Sequence, residues 1–115
     1  MSKDTIINMF HIIDQRQWNE LSSVFCDQAT YERPGYPPFV GFERVLHFYQ
    51  TERIIASGNH ELEHILIEGD YGACWGRFRG KSKDGNELDE QFVDVYTFSK
   101  GRVQHRKSYF FRAAI

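Results

Sequence analysis

Apolar side chains recur at helical spacing near the start of the chain, where Ile6, Ile7, Phe10 and Ile13 follow the polar opening Ser2-Lys3-Asp4. The spacing predicts an amphipathic helix over ~4–16, with that polar opening supplying an N-cap. Trp18, Leu21, Val24 and Phe25 repeat the pattern in a second, shorter helix. The β-formers Thr30 and Tyr31 then predict a short strand within 27–33, and Pro34-Gly35 with Pro37-Pro38 forces an irregular loop behind it. After Gly41, the residues Phe42, Val45, Leu46, Phe48 and Tyr49 form the face of a third helix, which runs to the breaker Ser57-Gly58-Asn59.

From His60 onward the texture changes to strands, predicted at 60–68, 71–81, 88–98 and 102–111. The turns between them are Gly69-Asp70, Lys83-Asp84-Gly85-Asn86 and Ser99-Lys100-Gly101. Read as a three-residue loop, the last turn pairs Phe98 with Arg102 and sets Asp94 opposite Arg106; a one-residue slip would face Asp94 with Lys107 and turn every side chain to the other face. The order ααβαββββ describes one α+β domain over 1–115, a short helical layer on a curved antiparallel sheet that encloses a pocket.

Composition changes this picture in one respect. Aromatic residues make up 16% of the 115 residues, so bulky rings must fill a core, a pocket or an interface. A formal net charge of -2 argues against nucleic-acid binding, which needs a clustered excess of Lys and Arg. No apolar run reaches the roughly 20 residues of a membrane span, and the N-terminus lacks the apolar stretch of a signal peptide, so a cytoplasmic protein with no membrane partner is expected. Cys26 and Cys74 lack CxxC spacing and read as reduced thiols.

Several stretches carry a resemblance. Trp18 opening the second helix, FCDQATYERPG ending it, VGFERVLHFY as the third helix and FVDVYTFSKGRV near the end resemble the nuclear transport factor 2-like superfamily, in its ketosteroid isomerase-like or SnoaL-like branch. The resemblance implies a cone-shaped sheet with helices closing a pocket, and activities that include isomerases, polyketide cyclases, epoxide hydrolases, dehydratases and non-catalytic binders. In the isomerases a helix-one tyrosine and a protonated aspartate hold an oxyanion while a second aspartate moves the proton. Val93-Asp94-Val95-Tyr96-Thr97-Phe98 matches the segment of the oxyanion aspartate. Glu32-Arg33-Pro34 stands where the base precedes a proline, and Met9 falls at the tyrosine's place. Arginine cannot be that base and methionine has no proton to donate, so steroid isomerisation by that mechanism is not expected.

The candidate chemistry follows. Asp94, among Phe92, Val93, Val95, Tyr96 and Phe98, is either a desolvated acid or base or the partner of a cation such as Arg106 or Arg77. Arg33 and Arg77, if they point inward, suit an anion, because a guanidinium offers a bidentate fork and stays charged. His60-Glu61-Leu62-Glu63-His64 spells H-E-x-x-H, but on a strand residues four apart lie ~13 Å from each other and cannot share zinc, so no metal site is expected. His64 remains a candidate acid or base. Tyr31, Phe48, Tyr49, Trp75 and Phe110 line an aromatic cavity if the resemblance holds, with Arg106 and Arg77 among the ligand-binding candidates.

Two readings result. One is a small enzyme without cofactor, transferring a proton on a hydrophobic oxygenated metabolite through Asp94, Arg33 and His64. The other is a non-catalytic domain that binds a small hydrophobic or anionic organic ligand, with Asp94 locked in a salt bridge. A homodimer is expected in either case, formed through the outer sheet face.

Overall fold

The computed structural model describes residues 2–110. Helix α1 spans Ser2–Asp14 and turns Ile6, Met9, Phe10, Ile12 and Ile13 into the core. The second helix is a tight 3₁₀ segment, Trp18–Ser23, and Phe25 already belongs to strand β1, Phe25–Glu32. A two-residue strand β2, Phe39–Val40, closes the proline loop and leads into helix α2, Phe42–His47, which widens into a π turn over Phe48–Glu52. Four long strands complete the chain: β3 Ile55–Glu68, β4 Tyr71–Ser82, β5 Glu87–Ser99 and β6 Arg102–Phe110. The expected extension of the last strand to residue 111 lies outside the described residues.

The strands form one six-stranded sheet in the order β2-β1-β6-β5-β4-β3. It is mixed rather than wholly antiparallel, because β1 runs parallel to β6. A parallel neighbour cannot be reached by a tight hairpin, and here α2 and the β3–β5 meander lie between the two strands in sequence.

The expected break at Ser57-Gly58-Asn59 is part of β3, with Gly58 opposite Gly80. A Cβ on Gly58 would collide with the Phe78 ring, so this glycine makes room for an aromatic side chain within the strand instead of ending a helix.

The last hairpin also differs from expectation. Lys100 and Gly101 both have positive φ, the pattern of a two-residue type I′ turn, and Ser99 pairs with Arg102. A bulge at Gln104 follows, since Phe98 faces Val103 whereas Thr97 faces His105. The result sets Asp94 opposite Ser108 and Tyr96 opposite Arg106. The shift from the expected register is an even number of residues, so Asp94 and Arg106 keep the same face.

Along β5, Leu88, Glu90, Phe92, Asp94, Tyr96 and Phe98 alternate inward, as a half-buried strand requires. The aromatic surplus largely fills the core above them. Phe39 stacks on Phe48 at 4.7 Å between ring centroids, Tyr31 lies parallel to Tyr49 at 6.3 Å, and Tyr36 meets Phe48 edge-on at 5.2 Å. Each such buried ring stabilises the fold by about 2 kcal/mol, so the cone is closed chiefly by aromatic packing.

Candidate functional site

Among the described residues, Arg33, Arg53, Glu90, Asp94 and Arg106 are charged side chains buried inside the fold. Asp94 Oδ2 accepts from Arg106 Nε at 2.9 Å and from the Tyr96 hydroxyl at 2.9 Å, while Oδ1 has no hydrogen bond. Burial, reinforced by Asp94, pushes the Tyr96 phenol well above its usual range, so it remains a donor to the carboxylate. Burial alone would weaken the charge on Arg106, yet Asp94 and the surrounding tyrosines raise its pKa well above the ordinary value. Arg106 is therefore a permanent cation held in place from below by Asp94.

From that anchor Arg106 donates through Nη1 to the Tyr49 hydroxyl at 2.7 Å and lies over the Tyr31 ring at 4.4 Å. Tyr31 is fixed by Ser108 Oγ at 2.9 Å and by Arg33 Nη1, which donates to its hydroxyl at 3.2 Å. Burial raises the Tyr31 pKa, with Arg106 and Arg33 opposing it, so this phenol stays neutral. Arg33 lies over the Phe48 and Phe110 rings.

Tyr31, Arg33, Tyr49, Arg106 and Phe110, with Arg53, His60, Phe78 and Phe92, line a cavity of about 20 Å³. That is room for about one water molecule. The large aromatic cavity expected from the sequence is instead filled by its own rings, and Phe48 is wholly buried behind Tyr49.

His60 forms part of both this cavity and a groove of about 570 Å³ between α1 and β3. Its Nδ1 lies 2.6 Å from Asp14 Oδ1, and its backbone N–H donates to Asp14 Oδ2 at 2.8 Å. A carboxylate accepts only, so Nδ1 carries the proton and Nε2 is the acceptor in the neutral ring. Phe10, Phe78 and Phe92 surround the imidazole. Burial lowers its pKa below the usual 6.5, against the pull of Asp14, and the charges of Arg53 and Arg106 lower it further. The ring is thus a neutral base at neutral pH.

The cavity brings together Tyr31, Arg33, Tyr49, Arg106 and Phe110 from the expected set, with Asp94 directly behind Arg106. His64, Trp75 and Arg77 face the opposite side of the sheet. His64 stacks on Trp75 at 5.0 Å, and Arg77 Nε lies 3.1 Å from Asp89. A bulge at Glu63, between the pairs Leu62–Gly76 and His64–Trp75, turns His64 away from the face that carries His60 and Leu62. Strand alternation puts Trp75 and Arg77 outward, opposite to the inward Cys74, Gly76 and Phe78. His60 and His64 therefore sit on different faces, and no cluster of three or more potential metal-binding His, Cys, Asp or Glu residues occurs among the described residues.

The pattern of the SnoaL-like domain matches residues 6–106, nearly the whole chain. The chain belongs to the SnoaL-like domain family. No curated protein matches it in sequence. Solved structures share its fold at low identity. An NTF2-like protein of unknown function from Burkholderia pseudomallei is 16% identical with a TM-score of 0.84, over 95% of this chain and 89% of that one. A protein with a ketosteroid isomerase-like fold from Catenulispora acidiphila, in complex with trimethylamine, is 12% identical with a TM-score of 0.83, over 96% and 88%. An LEH-like epoxide hydrolase from M. tuberculosis is 12% identical with a TM-score of 0.83, over 95% and 81%.

Within this SnoaL-like domain, sequence reading missed Arg53 and the His60–Asp14 pair. Asp14 carries a readable signal, since it ends α1, where the helix dipole disfavours an anion. Its two bonds to His60 offset that cost. Met9, at the isomerase tyrosine's place, is fully buried core.

Proposed function

We propose that this SnoaL-like domain is a cofactor-independent enzyme that transfers a proton on a small oxygenated organic molecule bound beside His60, with one oxygen in the water-sized cavity. The observation that carries the reading is the His60–Asp14 pair, a neutral, part-buried imidazole oriented by a carboxylate at 2.6 Å and lining the cavity. In this reading His60 Nε2 takes the proton. Arg106, Arg53 and the Tyr49 hydroxyl stabilise negative charge developing on a substrate oxygen, in a setting shielded from water. Asp94 is a positioning residue that holds Arg106, which replaces the direct acid–base role expected from sequence. Arg33 positions Tyr31.

Isomerisation, dehydration, cyclisation and epoxide opening all use such a proton transfer, and an epoxide hydrolase is among the fold relatives. The domain works in the cytoplasm as a homodimer in this proposal. The exposed outer side chains Leu66, Trp75, Val93, Val95 and Tyr109 support the dimer. No helix among the described residues is long and apolar enough to cross a membrane.

The test is solvent exchange. Small enolisable ketones, aldehydes and carboxylic acids are incubated with the protein in D2O, and loss of the carbon-bound proton is followed by NMR. His60→Gln is expected to slow exchange by about 10²–10⁴-fold with the fold intact, and Asp14→Asn by a smaller factor. Equal exchange by wild type and His60→Gln would remove the proposal. The buried Asp94–Arg106 pair also favours a second reading, a non-catalytic small-molecule binder; ligand binding without exchange on any tested compound would select it.

A further inference from the structure

β3 is the outermost strand of the sheet, and no strand among the described residues lies beyond it. An open edge of 14 residues is a row of free N–H and C=O groups, which proteins usually shorten, cover or charge. α1 covers only its beginning, where the backbone N–H of His60 points away from β4 and donates to Asp14. Farther along, the groove of about 570 Å³ lies between α1 and Leu62, Glu63, His64 and Ile65. Leu66 and Ile67 beyond it are 52% and 39% exposed.

The direction of the backbone decides which groups are free. The Leu66 carbonyl is turned toward β4, 3.4 Å from the place a Cβ would take on Gly72. Backbone groups alternate sides along a strand, so Ile65 and Ile67 turn both N–H and C=O to the open edge. The bulge at Glu63 produces this phase. Without it the free groups would stay in step with His60, on Leu62, His64 and Leu66.

We propose that this stretch pairs antiparallel with the same stretch of a second copy, joining two sheets edge to edge across a two-fold axis at Leu66. In that register Ile65 of each copy meets Ile67 of the other, and each such pair exchanges both of its N–H to C=O bonds. The side chains agree with it. His64 falls opposite Glu68, an imidazole donor facing a carboxylate, Leu66 meets Leu66 on the outer face, and Ile65 meets Ile67 on the other. Centring the pair on Ile65 instead would set His64 against Leu66 and Glu68 against Leu62, and centring it on Ile67 would set Glu68 against Leu66. The occupant is a second copy because His64-Ile65-Leu66-Ile67-Glu68 is complementary to its own reverse, with a donor at one end and an acceptor at the other. So short a contact buries much less than a stable dimer needs, and it forms at about 0.1–1 mM. It is separate from the proposed sheet-face dimer, which centres on Trp75, Val93 and Tyr109.

Amide NMR and hydrogen exchange of the full chain, from about 20 µM to about 1 mM, test this in wild type and in Val93→Glu, which disrupts the sheet face. The Ile65 and Ile67 amides are expected to shift and gain protection with concentration in both proteins, and the Leu66 amide to change far less. A mixture of two differently labelled samples should give an NOE between Ile65 of one copy and Ile67 of the other. Ile67→Pro removes an N–H that β4 does not use and should abolish the concentration dependence. Glu68→Lys sets a cation opposite each His64 and should weaken association by about five-fold or more, and His64→Glu combined with Glu68→Lys should restore it. No concentration dependence at Ile65 and Ile67 in wild type, or the same dependence in Ile67→Pro and Glu68→Lys, would overturn the proposal. Changes confined to Trp75, Val93 and Tyr109 would overturn it as well, by assigning all association to the sheet face. Wild type alone can fail the test, so the outcome does not depend on Ile67→Pro folding.

Discussion

Arg106 and Asp94 form an ion pair of 2.9 Å in which the side chains are 4% and 0% exposed. Removing one partner of such a pair strands the other charge in the interior, at a cost of about 3–5 kcal/mol. Asp94→Asn is therefore expected to lower stability to urea by an amount of that order, while activity per folded molecule falls far less than in His60→Gln. Asp94→Leu combined with Arg106→Met should recover much of the stability, since the pair is removed together. A variant Asp94→Asn that stays as stable as wild type but loses turnover would return Asp94 to the role of proton carrier.

His60 makes stability depend on pH in a definite direction. Its folded pKa lies below the ordinary 6.5 because burial disfavours the imidazolium. Between those two values the unfolded chain binds more protons than the folded one, so stability rises with pH there. The contribution is present above 6.5 and is lost as pH falls through the folded pKa. Urea unfolding from about pH 5 to about pH 7.5 should show this slope, and His60→Gln should flatten it. The groups facing His60 are Asp14, Arg53, Arg106 and three phenylalanine rings, and both arginines keep their charge over this range.

The outer sheet face supplies the third prediction. Trp75 is 36% exposed, Val93 42% and Tyr109 47%, on three adjacent strands. Sedimentation at micromolar concentration should give twice the chain mass of 13.6 kDa, and Val93→Glu should give the monomer. A wild type that sediments as a monomer would overturn the homodimer.

The two thiols should separate cleanly. Cys74 is buried, and its pKa is pushed up to about 12 by burial and by Asp94. Cys26 is partly exposed. A thiol-reactive dye at mildly alkaline pH should label Cys26 in the native protein and Cys74 only after unfolding. Labelling of Cys74 in the folded state would contradict the closed packing around Asp94.

Much of this architecture can be read from local pattern. Strict alternation along β5 assigns Asp94 to the inner face before any register is known, and the two-residue error in the last hairpin preserves that assignment. Features that depend on irregularity are not legible in the same way. The bulge at Glu63 moves His64 to the far face, and nothing in the local composition announces an extra residue there. Gly58 reads as a breaker because sequence does not reveal that Phe78 lies across it. His60 is hidden by the stronger-looking H-E-x-x-H motif, and its partner Asp14 is 46 residues away. Arg53 lies among ordinary polar residues, and only the π turn carries it inward.

Because His60 belongs to both the outer groove and the inner cavity, its ring borders both spaces. In the proposed transfer the substrate's hydrogen rests on Nε2, while Nδ1 stays bonded to Asp14. Loss of the Nδ1 hydrogen to the groove would leave that hydrogen in place, so isotope taken from a substrate carbon reaches solvent only when Nε2 itself gives it up.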